Sequence, residues 1–103
     1  MAGSLIWSEQ SLVDVEAIGE YISRDSPQHA RRVVEEIVAT AELVAAQPMM
    51  GRPVPETSSP QIREHFIYSY RLIYEIRGET VYILGVIHGR RLLECVSGRF
   101  GGD

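Results

Sequence analysis

The sequence predicts an α+β fold, in which a hairpin of two helices packs on one face of a small, mainly antiparallel sheet. Two observations predict it: residues 9–46 carry two apolar stripes at helical spacing, and residues 62–88 carry three short segments with the alternating or apolar character of strands. The 103 residues are enough for one domain with one modest core. We therefore expect residues 1–103 to form a single domain, with a mobile, glycine-rich tail at 94–103.

The first half of the chain predicts a short strand and then a helix. The apolar run Ser4–Trp7 is typical of an edge strand, and Ser8 is a good N-cap for a first helix of roughly Glu9–Ser23. The apolar stripe of this helix consists of Leu12, Val15, Ile18 and Ile22. Three acidic residues lie off that stripe and are expected to face water: Asp14, Glu16 and Glu20.

A second helix is predicted from Pro27 to about Ala46. Ser26 is its N-cap, proline is well tolerated in the first turn, and the helix must end before Pro48. The short connection between the two helices predicts an antiparallel hairpin. Because the hairpin alone cannot bury both apolar stripes, the pair must also pack on the sheet.

The second half of the chain predicts a loop followed by three strands. Residues 48–60 hold four of the five prolines, and stiff, irregular loops of this length are often functional. Alternation predicts strands at Ile62–Tyr68 and Tyr70–Arg77, and the largely apolar segment Val81–Ile87 is typical of the central strand. Gly85 indicates a bulge or a close backbone approach there. We expect the N-terminal strand to join these three strands.

Composition and charge exclude several classes of protein. Residues 1–47 hold eight acids and three arginines, and residues 48–103 hold six acids and seven arginines, for a net charge of −4 that does not favour general adhesion to nucleic acid. All ten basic residues are arginine, so a mechanism that needs lysine is excluded. Every basic group is therefore a planar, permanently charged fork, which suits carboxylates and phosphates.

The expected environment is the cytoplasm. No apolar run reaches the roughly 18 residues of a membrane span, and the N-terminus has no secretory signal pattern. The single cysteine, Cys95, excludes an intrachain disulfide. We expect no metal, because the three histidines lack the spacing of metal ligands: His29, His65 and His88.

Seven short segments are informative together, although none is specific alone. They are Leu5-Ile6-Trp7-Ser8, Glu20-Tyr21-Ile22, Ser26-Pro27-x-x-Ala30, Pro48-x-x-Gly51-Arg52, Ile62-Arg63-Glu64, Tyr70-Arg71-Leu72-Ile73-Tyr74 and Ile87-His88-Gly89-Arg90-Arg91. In their order and spacing, over roughly residues 5–92, the chain resembles the RelE/ParE superfamily of bacterial toxins. These are the toxin halves of type II toxin–antitoxin systems. The resemblance implies the same fold, a cognate antitoxin and no cofactor.

The superfamily contains gyrase poisons similar to ParE and ribosome-dependent mRNA endonucleases similar to RelE and YoeB, and the fold alone does not separate them. The ending His88-Gly89-Arg90-Arg91 resembles ParE. This resemblance implies a toxin without catalytic residues that inhibits DNA gyrase and is neutralised by a ParD-like antitoxin. Arg99 and Phe100 in the C-terminal tail are then candidates for contact with gyrase. We expect no membrane partner and no direct, sequence-specific binding to nucleic acid.

The alternative is a ribosome-dependent endonuclease, which needs a base, an acid and a cation for the phosphate on one face. Glu56, Arg71 and His88 fall near the positions that YoeB-like enzymes use. However, the terminal aromatic residue of that set is missing, and so are the lysines of RelE-like enzymes. We therefore favour the ParE-like interpretation.

Four arginines are the expected contacts for an acidic antitoxin segment: Arg63, Arg71, Arg90 and Arg91. If their strands are adjacent, these side chains converge and can pair with carboxylates through two parallel hydrogen bonds. Two alternatives remain for Arg71: a surface ion pair with Glu64 or Glu75, or a contact with an antitoxin carboxylate or a phosphate. Glu56 is expected to be mainly solvated.

Overall fold

The computed structural model describes residues 3–89. Their elements are β1 (Ser4–Trp7), α1 (Glu9–Ser23), α2 (Pro27–Ala46), a 3-10 turn (Pro48–Met50), β2 (Arg52–Pro53), β3 (Ile62–Ile67), β4 (Tyr70–Arg77) and β5 (Thr80–His88). The α+β fold predicted from the sequence is confirmed, and the bounds of both helices agree with the prediction. The tail expected at 94–103 lies outside the described residues.

The five strands form one sheet in the order β1-β5-β4-β3-β2. β1 runs parallel to β5, and the other neighbouring strands are antiparallel. The expectation that the apolar segment of β5 is the central strand is wrong: β5 has a strand on each side, but β4 is the middle strand of the five. The two-residue strand β2 lies inside the proline-rich segment that we expected to be an irregular loop, and it pairs with Arg63 and Glu64 of β3.

Side-chain caps fix where the two helices begin. The Ser8 Oγ accepts a hydrogen bond from the Ser11 N–H at 3.0 Å, and the Ser26 Oγ accepts one from the His29 N–H at 3.1 Å. Each cap satisfies one of the amide groups that the first turn of a helix leaves without a partner. Among the described residues, neither helix is long and apolar enough to cross a membrane.

The helices cover one face of the sheet, which we name the helical face. Its core combines helix-spaced residues of α2 with alternate strand residues: Val33, Ile37, Ala41, Val44, Leu72, Tyr74, Val81 and Ile83. Complete burial of one such side chain contributes about 1.5–3 kcal/mol. The opposite face, which we name the distal face, carries a smaller cluster: Val54, Ile62, Ile73, Leu84 and Ile87.

A bulge interrupts the pairing of β4 with β5, as Gly85 indicated. Tyr74 pairs with Ile83 and Ile73 pairs with Gly85, so β5 holds one extra residue between them. The side chain of Asp14 in α1 accepts a hydrogen bond from the Val86 N–H at 3.0 Å. The expectation that Asp14 faces water is therefore wrong, because its carboxylate binds the backbone beside the bulge.

Candidate functional site

Arg71 lies on the distal face and is buried, with 5% of its surface exposed. It points away from the helices because side chains alternate along a strand and its neighbours Tyr70 and Leu72 pack on the helical face. The register places Phe66 of β3 directly opposite Arg71. Since a buried guanidinium is costly unless it is paired, the partners of Arg71 define this site.

Two carboxylates hold the Arg71 guanidinium. Its Nε donates to Oε1 of Glu64 at 2.7 Å, and its Nη2 forms an ion pair with the same oxygen. Its Nη1 and Nη2 donate to Oε2 and Oε1 of Glu56 at 3.2 and 3.0 Å, so both oxygens of Glu56 face the fork. Arg52 completes the group, because its Nε donates to Oε2 of Glu64 at 2.6 Å. We name Arg52, Glu56, Glu64 and Arg71 the charge cluster.

The formal charges of the charge cluster cancel. Hydrogen bonds from Arg71 lower the pKa of Glu56, and they outweigh the opposing effect of its burial. Burial acts to lower the pKa of Arg71, but its hydrogen bonds and charge attraction to Glu56 and Glu64 outweigh this, and the pKa of Arg71 is raised. Arg71 and Glu56 are therefore both charged at neutral pH.

The two carboxylates differ in their exposure to solvent. The Glu64 side chain is 0% exposed, whereas the Glu56 side chain is 42% exposed. Of the two expected ion-pair partners of Arg71, Glu64 is the one that binds it, but this ion pair is buried rather than on the surface. Glu75 pairs instead with Arg77, at 2.8 Å. Glu56 is in part exposed to solvent, as expected, but it is also bound to Arg71.

The loop that carries Glu56 is anchored to the sheet at Val54 and closed into a turn by Thr57. Val54 is buried in the cluster on the distal face, and its N–H donates to the Ile62 carbonyl at 3.0 Å. The Thr57 N–H then donates back to the Val54 carbonyl at 3.2 Å, which turns the chain. Neither of these two hydrogen bonds involves the Glu56 carboxylate.

The helical face fixes the beginning of the same loop. The buried hydroxyl of Tyr74 donates to the Pro48 carbonyl at 2.7 Å and accepts the Gly51 N–H at 3.0 Å. Arg63 Nη1 donates to the Gly51 carbonyl at 2.7 Å. Position 51 has no room for a side chain, since a Cβ there would clash with the Tyr74 hydroxyl and lie 2.7 Å from the Glu64 carbonyl oxygen. Burial raises the pKa of the Tyr74 hydroxyl.

The expected convergence of Arg63 with Arg71 is wrong. The register pairs Arg63 with Tyr74, so Arg63 points to the helical face while Arg71 points to the distal face. The remaining sequence-predicted binding residues lie outside the described residues: Arg90, Arg91, Arg99 and Phe100.

The structure separates His88 from the other two residues of the endonuclease alternative. Glu56 and Arg71 are in contact, but His88 pairs with Tyr70 in the register and its ring meets the Tyr70 ring edge-on, with 5.8 Å between centroids. Because Tyr70 belongs to the helical face, His88 and Arg71 lie on opposite sides of the sheet. Within residues 3–89, no three or more His, Cys, Asp or Glu side chains are placed to hold a metal ion.

α1 exposes an apolar flank, which consists of Val13, Ala17 and Tyr21 at i, i+4 and i+8. All three are exposed, and Val13 and Tyr21 are more than half exposed, as is Leu12 on another side of the helix. Leu12 was expected in the buried stripe of α1, and this expectation is wrong: Ser11 occupies the buried position instead, with its Oγ donating to the Ser8 carbonyl at 2.7 Å. The flank is a second candidate surface for a partner.

Sequence reasoning missed the roles of Arg52 and Glu64. The sequence pointed to Arg52 only as the end of the segment Pro48-x-x-Gly51-Arg52, and to Glu64 only as a surface partner of Arg71. One signal was present, because alternation along β3 puts Glu64 on the same face as the apolar Ile62 and Phe66. An acid on an apolar face implies a buried cationic partner. Nothing in the sequence pattern indicated that Arg52 would lie beside Glu64.

A family model described as the ParE toxin of the type II toxin–antitoxin system parDE matches residues 5–93. The chain belongs to the ParE toxin family. Toxin RelE2 of Caulobacter vibrioides is 29% identical to this ParE-family chain over 89 residues, which are 85% of this chain and 97% of that protein.

Two solved structures share the fold of this ParE-family chain. A structure of the chromosomal ParDE system from P. aeruginosa superposes with a TM-score of 0.69 at 21% identity and covers 84% of this chain and 96% of its own. A structure of the RelBE2 toxin–antitoxin complex from Mycobacterium tuberculosis superposes with a TM-score of 0.64 at 21% identity and covers 85% of this chain and 92% of its own.

Proposed function

We propose that this chain is a ParE-like toxin that inhibits DNA gyrase through surface contact and is neutralised by a ParD-like antitoxin. The match to the ParE family model over residues 5–93 supports the ParE-like branch. The observation that carries the proposal is the occupation of the Arg71 guanidinium by Glu56 and Glu64. An arginine that neutralises a reacting phosphate has to present its N–H groups to that phosphate, whereas these donors face carboxylates.

The position of His88 supports the same conclusion. Cleavage of RNA through the ribose hydroxyl needs an acid and a base on the two sides of one phosphate, within hydrogen-bond reach of it. His88 lies across the sheet from Arg71, so the two side chains do not face one substrate in this arrangement. Inhibition of gyrase by surface contact needs no such geometry.

An antitoxin would use two kinds of surface. The apolar flank of α1 suits an apolar helix, and the arginines of the strand half suit acidic side chains. We propose Arg71, Arg90 and Arg91 as contacts for these acids. A contact through Arg63 would be separate, because that side chain faces the helical side of the sheet.

Substitution of these arginines tests the docking surface. Arg71→Glu and Arg91→Glu each replace a cation by an acid, so both should weaken the binding of the antitoxin by like-charge repulsion. Because Arg71→Glu also leaves buried Glu64 without its partner, circular dichroism must first show that this variant is folded. Titration calorimetry measures the affinity directly. Unchanged affinity in both variants would exclude the arginines as the docking surface.

The gyrase proposal is tested on the chain separated from its antitoxin. In a plasmid supercoiling assay, a molar excess of the chain should stop supercoiling and cause cleaved plasmid to accumulate. Arg99 and Phe100 are the first candidates for contact with gyrase, and the variant in which both are alanine should lose this effect. Supercoiling and cleavage that remain normal at excess toxin would overturn the proposal.

A second candidate function is a ribosome-dependent mRNA endonuclease, for which the structure keeps two of the three expected residues, Glu56 and Arg71, side by side. Arg71 would then bind the phosphate and Glu56 would act as base, whereas His88, the expected acid, lies on the other face of the sheet and would have to move to reach it. Primer extension on mRNA after induction of the chain should reveal cuts within the reading frame. Intact mRNA, together with normal translation in vitro, would exclude this function.

A further inference from the structure

The charge cluster contains one carboxylate that can leave and one that cannot. Glu64 is fully buried and is bound by both Arg52 and Arg71, so its removal would leave two guanidiniums without their shared partner. Glu56 binds Arg71 alone within the cluster and has 42% of its side chain exposed. Rotation of a partly exposed side chain takes it into water at little cost.

The departure of Glu56 would create a cationic site. The cluster is neutral with Glu56 in place, and the remaining Arg52, Glu64 and Arg71 carry a net charge of +1. The Nη1 and Nη2 atoms of Arg71 would then face solvent as a fork, while Glu64 continues to hold Nε. The anchors at Val54 and Thr57 do not involve the Glu56 carboxylate, so they keep the loop in place when it rotates away.

The shape and charge of the vacated position fit a carboxylate. Both oxygens of Glu56 are bound side-on by Nη1 and Nη2, which is the geometry that a guanidinium offers to a carboxylate. A single carboxylate restores neutrality, whereas a phosphate dianion would bring excess negative charge close to buried Glu64. The net charge of −4 on the chain likewise opposes the approach of a polyanion such as nucleic acid.

We infer that Arg71 is a binding site for one carboxylate of an acidic partner segment, and that Glu56 occupies this site in the free chain until the partner's carboxylate displaces it. The inference rests on the proposed antitoxin for the identity of the partner, and it adds an internal competitor to the site. Arg71 stays paired before and after the exchange, so no buried charge is exposed at either stage. Glu56 thereby sets how strongly the partner must bind.

The site can be tested without any partner by titrating acetate at constant ionic strength. The probe is the NMR signal of the Arg71 Nε–Hε group. A partly exposed ion pair of this kind is favoured about fourfold over its open form, which leaves the fork open in roughly one molecule in five. Glu56→Ala should therefore bind acetate about fivefold more tightly than the unmodified chain. Glu56→Gln keeps the size of the side chain and removes its charge, so it should fall between the two.

Glu75→Ala is the matched control, because it removes a carboxylate from Arg77 on the same strand and face. It should leave the response of Arg71 to acetate unchanged. Equal acetate affinity in Glu56→Ala and the unmodified chain would overturn the inference. Tighter binding of inorganic phosphate than of acetate by Glu56→Ala would overturn the preference for a carboxylate.

A second arm measures the cognate antitoxin by titration calorimetry. Its affinity should rise about fivefold in Glu56→Ala and should not change in Glu75→Ala. A gain for acetate without a gain for the antitoxin would show that the partner's carboxylate does not enter this site. Because the acetate arm involves neither gyrase nor antitoxin, its failure is distinguishable from failure of the proposed function.

Discussion

The two faces of the sheet are stabilised in different ways. On the helical face, residues such as Leu72 and Ile83 pack against α2, and the core is almost entirely apolar. On the distal face, a smaller apolar cluster lies beside the charge cluster, in which buried Glu64 holds two arginines. The helical face can be built from various apolar side chains of suitable total volume. The distal face depends on the pairing of particular charges, and a charge that loses its partner there is costly.

This difference separates stability from recognition. Apolar packing is strong and has little directional preference, so it supports the sheet without selecting a partner. Buried charges add little net stability, but they are highly sensitive to what pairs with them. An ion pair with one exposed member, such as Glu56 with Arg71, can exchange that member for a group from outside. This exchange is the property that our proposal of recognition at the distal face requires.

The largest expected effect is that of Glu64→Gln. The variant keeps the shape of the side chain but leaves Arg52 and buried Arg71 without their shared charge, and it should lower the free energy of unfolding by about 3–5 kcal/mol. Urea denaturation at pH 7 measures this loss. Glu79→Gln, at an exposed turn, is the control and should change stability by less than about 0.5 kcal/mol. A loss below about 1 kcal/mol for Glu64→Gln would contradict a buried role for this charge.

Ile37→Ala makes the corresponding change on the helical face. Ile37 is completely buried, so the cavity and the lost apolar contact should cost about 2–5 kcal/mol. Val38→Ala on the same helix removes an exposed side chain and should cost much less. Because apolar packing involves no charges, the loss of unfolding free energy caused by Ile37→Ala should be the same with and without 1 M sodium chloride. Urea denaturation under both conditions measures this. A cost no greater than that of Val38→Ala would contradict the assigned core.

Tyr74→Phe tests the connection between the helical face and the loop. The variant keeps the buried ring but leaves the Gly51 N–H and the Pro48 carbonyl without the hydroxyl, at a cost of about 1–3 kcal/mol. Hydrogen exchange at the Gly51 amide should become faster, and urea unfolding gives the energy. Tyr68→Phe removes a hydroxyl from an exposed tyrosine and serves as the control. Unaltered exchange at Gly51 would indicate that the tyrosine hydroxyl does not hold the loop.

Glu56→Gln should have the smallest effect on stability, less than about 1 kcal/mol at pH 7, because its ion pair is partly exposed. The folded state lowers the pKa of Glu56 below the ordinary value of about 4.3. Its contribution is therefore complete above the ordinary pKa and is lost as the pH falls through the lower, folded pKa. The stability difference between wild type and Glu56→Gln should thus shrink from pH 6 towards pH 3. A difference that grows with acid would contradict the pairing.

The fold could be predicted because local patterns specify it. The caps at Ser8 and Ser26, the apolar stripe of α2 and the alternation of β4 each act over a few residues, and all of them agree with one architecture. Even the bulge had a local signal, Gly85. The errors at Leu12 and Asp14 arose because the direction in which α1 packs depends on the sheet beneath it.

The site was less predictable because it depends on contacts between residues that are distant in the sequence. Arg71 meets Glu56 across 15 positions, and Arg52 meets Glu64 across 12. Which of these side chains share a face is determined by the register of β3 with β4, and no short pattern encodes that register uniquely. The same register separates Arg63 from Arg71. Individual residue types therefore identified candidates, but only the pairing of the strands identified the cluster.

The most direct test of the distal face as the recognition surface is an NMR comparison of the free chain with its complex with the cognate antitoxin. If recognition occurs there, the Arg71 Nε–Hε signal and the amides of residues 54–57 should shift strongly, because Glu56 leaves the guanidinium and a partner carboxylate replaces it. Shifts on the apolar flank of α1 would accompany these changes. Shifts confined to that flank, with the Arg71 signal unchanged, would contradict recognition at the distal face.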